Sequence, residues 1–152
     1  RRLDYHGFLK INNQRVTLFD DYGHHPNEIK AVFESLQNTY KNKRLVVVFQ
    51  PHRYTRTRDL FDDFSQALSQ ADALVLLDIY PASEQPIAHI NSSALASSIR
   101  QRSSLDPIVV KDTLEVLDIL PNVIKDDDVV LTLGAGDIHT LVELLTTQYA
   151  DS

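Results

Sequence analysis

The sequence predicts an α/β domain with a mainly parallel sheet of about six strands, one of them antiparallel. Three observations carry that reading. Short apolar runs alternate with amphipathic helical patterns about five times along the chain. Runs such as Leu45-Val46-Val47-Val48-Phe49 are apolar throughout and rich in β-branching, as strands covered on both faces are. The unusual polar residues gather in loops that follow a run and precede a helix. In a parallel sheet all such loops lie on the carboxyl edge, where open α/β sheets bind ligands.

Taken in order, Leu3–Ile11 and Arg15–Phe19 read as two strands joined at Asn12-Asn13-Gln14. Asn pairs favour such tight connections. This pair supplies the antiparallel element. From Pro26, apolar residues recur at helical spacing: Ile29, Val32, Phe33, Leu36 and Tyr40. Pro26 suits the first helical position, and Glu28 suits the positive end of the helix dipole. Lys41-Asn42-Lys43-Arg44 is the polar connection to the strand Leu45–Phe49.

A second helical pattern uses Leu60, Phe61, Phe64, Ala67 and Leu68, and Ala73–Leu77 is the next buried strand. The segment up to Asn91 reads as loop. Ser92–Arg102 predicts a helix with Leu95 and Ile99 inward, and Pro107–Val110 a strand. Asp112-Thr113-Leu114-Glu115 has the form of a capping box. The helix it opens carries Val116, Leu117, Ile119 and Leu120, and Pro121 should end or kink it. Val129–Leu133 is the last strand, Gly134–Asp137 its loop, and the final helix buries Ile138, Leu141, Val142 and Leu145. With no repeat or linker in view, residues 1–152 form one domain.

Composition narrows the function. Hydrophobic residues make up 43% and charged residues 24%, a globular balance. The net charge of −6 argues against general nucleic-acid binding. No apolar run nears the ~20 residues that span a membrane. The chain has no Cys, which excludes disulfides and thiolate chemistry. It has no Met and opens at Arg1, so it reads as a processed chain or a piece of a longer one.

Two loops hold most of the chemistry. Asp20-Asp21-Tyr22-Gly23-His24-His25-Pro26 packs two acids, a phenol and two imidazoles into one turn. Gln50-Pro51-His52-Arg53-Tyr54-Thr55-Arg56-Thr57-Arg58 sets a basic cluster against an acidic background. The two loops are expected to face one site. Arg53 and Arg56, three apart, can share one side of a first helical turn and grip a carboxylate or phosphate. The plainer alternative is solvated arginines at a helix entrance. Like charges beside His52 should disfavour its protonation, and a neutral imidazole can accept a proton from an amine. His24, His25 and His52 show no familiar metal spacing, and no metal site is expected there. Gly134-Ala135-Gly136-Asp137 either lets backbone amides approach a phosphate or is simply a tight turn. No G-x-x-x-x-G-K-[ST] loop occurs, so a main triphosphate grip would lie outside this chain.

These two loops, with Asp78-Ile79-Tyr80-Pro81-Ala82 and Leu133-Gly134-Ala135-Gly136-Asp137, resemble the C-terminal domain of the bacterial Mur ligases over nearly the whole chain, in order. The resemblance implies a Rossmann-like three-layer domain of a larger cytoplasmic enzyme. Its UDP-sugar and ATPase domains would lie N-terminal to this chain. It also implies an ATP- and Mg²⁺-dependent reaction of peptidoglycan synthesis. There the UDP-N-acetylmuramate carboxylate becomes an acyl phosphate, and the amine of L-alanine attacks it. Carried over by motif, Tyr22, His24, His52, Arg53 and Arg56 match positions that hold the amino acid. Arg53 and Arg56 match its carboxylate ligands, His52 is the candidate catalytic group, and Asp21 approaches the ATP ribose. Asp137 stands where some relatives have Asn and receives no role. The fragment alone should be inactive. Two alternatives stand beside this: a ligase that recycles murein tripeptide, and a nucleotide- or anion-binding module without turnover.

Overall fold

The computed structural model describes residues 3–151. Six strands form one sheet: β1 (Asp4–Ile11), β2 (Gln14–Asp21), β3 (Leu45–Phe49), β4 (Ala73–Leu76), β5 (Ile108–Val109) and β6 (Val129–Leu133). Their order across the sheet is β1-β2-β6-β3-β4-β5. β1 pairs antiparallel with β2, and every other pairing is parallel. The expected sheet is therefore the observed one.

The helices are α1 (Pro26–Thr39), α2 (Tyr54–Asp59), α3 (Phe61–Leu68), α4 (Ser92–Arg102), α5 (Thr113–Val123) and α6 (His139–Tyr149). Alternation along the buried strands sends side chains to two cores. Val47, Phe49, Leu74 and Leu76 meet Phe33 and Leu36 of α1, Phe64 and Leu68 of α3, and Leu95 and Ile99 of α4. Val46, Val48, Val75 and Val130 meet Val116 and Leu120 of α5 and Leu141 and Leu145 of α6. The result is three layers. The chain steps outward from β2 to β5 under α1, α3 and α4, then returns to β6 through α5 on the opposite face. A return on the opposite face keeps the crossovers of one hand, as strand twist requires.

Several boundaries differ from the sequence reading. β2 runs on to Asp21, because Asp20 and Asp21 pair with Thr132 and Leu133 of β6. The two acids therefore end a strand instead of opening a loop. The second helix is two, broken at Leu60, which leaves helical geometry at φ −117°. β4 ends at Leu76, one residue early, and β5 is only two residues long. Pro121 lies inside α5, which continues to Val123. Proline costs the helix one hydrogen bond, but here it falls in the last turn, and Ile124 N still donates to Leu120 O at 3.1 Å. At the start of α5, Asp112 Oδ1 accepts from Glu115 N at 3.0 Å as a cap should. The Glu115 carboxylate instead accepts from Lys111 N, one residue before the expected amide.

Candidate functional site

β2, β6, β3 and β4 lie side by side and parallel, so the loops at their carboxyl ends form one row. Backbone bonds tie the row together. Gly134 N donates to Asp21 O at 3.1 Å, and Gln50 N to Leu133 O at 3.1 Å. Beyond the end of β3, Tyr80 N donates to Pro51 O and Arg53 N to Tyr80 O, both at 2.8 Å. The loop after β4 thereby fixes the backbone of the Arg-rich loop.

His52 is the centre of that loop. Its ring stacks on Tyr80 at 5.4 Å between centroids and 11° between planes. Arg56 Nη1 donates to His52 Nδ1 at 3.1 Å and to His52 O at 3.1 Å. A guanidinium only donates, so Nδ1 must be the acceptor. Burial pushes the His52 pKa below its ordinary value, and the charges of Arg56, His24 and Arg53 push the same way. The expected suppression of protonation is present, although desolvation contributes more than the arginines.

Arg53 precedes α2 with φ +78° and ψ 138°, a conformation rare for a residue with a Cβ. Such backbone strain gathers at functional sites. Its side chain is half exposed and lies 3.8 Å from Glu84 Oε2. Glu84 also accepts from Tyr54 N at 2.6 Å, Thr55 N at 3.0 Å and Thr55 Oγ1 at 2.5 Å. These bonds, led by the Thr55 hydroxyl, hold the Glu84 carboxyl below its usual range. One carboxylate thus caps α2 and holds Arg53. The sequence alone gives Glu84 no role. Its signal was an acid on the same sheet edge as an Arg cluster.

The acid-and-His loop meets this group. The His24 ring lies 5.8 Å from His52 and 5.5 Å from His25. His24 Nδ1 is 3.0 Å from Tyr22 O. Glu28 Oε1 accepts from His24 N and His25 N, both at 3.0 Å, and those bonds hold its carboxyl below the usual range. The helix start therefore fixes the loop. Asp21 is buried, and its Oδ2 accepts from Gly23 N at 2.7 Å. Tyr22 is exposed, and its ring packs on His139 at 4.4 Å.

Asp21, Tyr22, Gly23 and His24 line one side of a cleft of about 490 Å³, and Glu28, Val32 and Ser35 of α1 line the other. The structure therefore brings His24, His52, Arg53 and Arg56 into one group, with Asp21 and Tyr22 around the adjoining cleft. Neither Gln50 nor His139 was assigned a role from the sequence. Gln50 Nε2 donates to Asp137 Oδ1 at 2.7 Å, which joins the second loop to the Gly loop. A Cβ on Gly136 would come within 2.7 Å of both Gln50 Oε1 and the Tyr80 ring. The Gly loop is thus pressed onto its neighbours, as the tight-turn alternative requires.

The family described as "Mur ligase, glutamate ligase domain" matches residues 1–136. The chain belongs to the Mur ligase family. A UDP-N-acetylmuramate–L-alanine ligase of Vesicomyosocius okutanii is 70% identical over 149 residues, which is 98% of this chain and 32% of that relative. The chain thus spans about a third of the Mur ligase it matches. Among solved structures, the UDP-N-acetylmuramate-alanine ligase MurC of Thermotoga maritima superposes with a TM-score of 0.70 at 23% identity, covering 90% of this chain and 27% of that one. A murein peptide ligase of Psychrobacter arcticus gives 0.75 at 19% identity, covering 97% and 29%. At those identities the superpositions establish the shared Mur ligase fold and do not separate the two substrate classes.

Proposed function

We propose that this chain is the C-terminal, amino-acid-binding domain of a larger ATP-dependent ligase that joins L-alanine to UDP-N-acetylmuramate. The observation that carries the proposal is the joint placement of His24, His52, Arg53 and Arg56 at the carboxyl edge of the sheet. The 70% identity to an L-alanine ligase favours that amino acid over murein tripeptide. A cytoplasmic setting comes with the proposal.

In this reading Arg53 and Arg56 take the carboxylate of the amino acid. Glu84 holds Arg53 from behind and leaves donors of its guanidinium for a ligand. His52, with Nδ1 engaged, carries its hydrogen on Nε2 and donates there. It becomes an acceptor at Nδ1 once Arg56 turns to the incoming carboxylate. Carboxylate binding would therefore release the lone pair that receives a proton from the amine. Tyr22 and His24 border the same space.

ATP supplies the activation of the sugar carboxylate when bound. Asp21 lines the 490 Å³ cleft and suits a ribose diol, which a carboxylate binds through acceptor oxygens. The chain lacks a P-loop sequence, so the triphosphate would be held elsewhere in the ligase. Mg²⁺ prefers an all-oxygen octahedral set. The one cluster of metal-ligating side chains found among the described residues includes an imidazole and does not fit it.

The direct test is Arg53→Lys in the full-length ligase. Lys keeps the charge and loses the planar fork, so the KM for L-alanine should rise. An unchanged KM would remove Arg53 from the carboxylate site.

A further inference from the structure

On the face of the sheet covered by α6, a second group of ligating side chains stands outside the amino-acid site. Asp4 of β1 pairs directly with Asp20 of β2. His6 lies two residues on from Asp4. One ligand atom from each of Asp4, His6 and Asp20 falls within 4.8 Å of the others. Asp4 and His6 are exposed, whereas Asp20 is 6% exposed.

The backbone builds this grouping. The β1–β2 register slips by one residue between Tyr5 and Phe8, where Gly7 has φ +83°. The extra residue lets Asp4 and His6 share a face with Leu9 and Ile11, which pack under α6. Without it, alternation would place the two sets on opposite faces. Asp20 is held in place: its Oδ1 accepts from Thr132 Oγ1 at 2.5 Å, and its Oδ2 lies 3.5 Å from His139 Nδ1. Two carboxylates directly opposite across an antiparallel pair repel each other. A cation between them reverses the sign of that interaction.

We propose that Asp4, His6 and Asp20 bind one first-row divalent transition-metal ion, Zn²⁺ foremost, with His139 and Thr132 orienting Asp20 from outside the coordination sphere. One imidazole and two carboxylates make a mixed nitrogen and oxygen set, which suits Zn²⁺ and its neighbours better than Mg²⁺. The buried carboxylate is already fixed by Thr132 and His139, and the two exposed ligands lie within 4.8 Å of it. Outer partners such as Thr132 and His139 commonly orient metal ligands. A bound ion would clamp the edge strand β1 to β2.

Calorimetric titration of the 152-residue chain with ZnCl₂ tests the site. One equivalent should bind, and His6→Ala and Asp4→Asn should each weaken it about tenfold or more. Both positions are exposed, so both variants should fold, which circular dichroism would verify. Mn²⁺ added to the unsubstituted chain should broaden the amide resonances of Asp4, His6 and Asp20 first, which tests the location without any variant. Absence of Zn²⁺ binding would overturn the proposal. So would loss of binding only in a His24→Ala/His25→Ala variant, first broadening around His24 and His52, or Mg²⁺ binding as tightly as Zn²⁺.

Discussion

Arg56 Nη1 donates to His52 Nδ1 at 3.1 Å, and this contact fixes which nitrogen of His52 carries the hydrogen. The neutral ring is the Nε2–H tautomer. Nitrogen-detected NMR of the chain should show that tautomer as the dominant form. Arg56→Ala should allow the other tautomer and raise the His52 pKa towards its ordinary value, because a neighbouring cation is lost. A ring indifferent to Arg56→Ala would mean that the contact does not control His52.

Stability should fall on acidification in two stages. His52 has a folded pKa below its ordinary 6.5, so the unfolded chain binds the proton more readily. Its contribution is present above about pH 6.5 and is lost as pH falls from there through the lower folded value. Glu28 and Glu84 are also depressed, from 4.5, so their contributions persist to lower pH and are lost below it. Thermal melts between pH 7.5 and 5.5 should show a decline that is shallower in His52→Gln. Equal slopes in both proteins would place the titration elsewhere.

Arg53 holds a strained backbone at the entrance of α2. At φ +78° glycine is at ease and arginine is not. Arg53→Gly should therefore stabilise the chain by about 1 kcal/mol, the low end of the cost of such conformations. The loss of the Glu84 contact is a smaller opposing effect, since the pair is 3.8 Å apart and Arg53 is 44% exposed. In the full-length ligase the same change should abolish saturation by the amino acid. Denaturant unfolding reads the first outcome and steady-state kinetics the second. A destabilised variant would contradict the strain argument.

Much of this was legible in the sequence. The runs Leu45–Phe49 and Val129–Leu133 read as buried strands, and their parallel pairing puts four polar loops on one edge. The Asp20–Pro26 and Gln50–Arg58 stretches pointed to the family, and the structure sets the two loops side by side. What stayed hidden depends on distant parts of the chain. Glu84 reaches back 30 residues to cap α2, and nothing in its local sequence marks that. Asp20 looks like a loop acid in the sequence because its ladder partner Thr132 is 112 residues away. The bulge at Gly7, which turns Asp4 and His6 to the α6 face, is a register property that one strand's sequence does not display. Pro121 looks like a helix end, yet α5 runs on to Val123, because a proline's cost depends on how near the helix end it falls.

L-alanine is the proposed ligand of the site formed by His24, His52, Arg53 and Arg56. The most direct measurement is ADP release by the full-length ligase with ATP, Mg²⁺ and UDP-N-acetylmuramate, with and without L-alanine, and with this 152-residue chain as the blank. Release should depend on L-alanine in the ligase and be absent from the blank. Release triggered by murein tripeptide and not by L-alanine, or by neither, would contradict it.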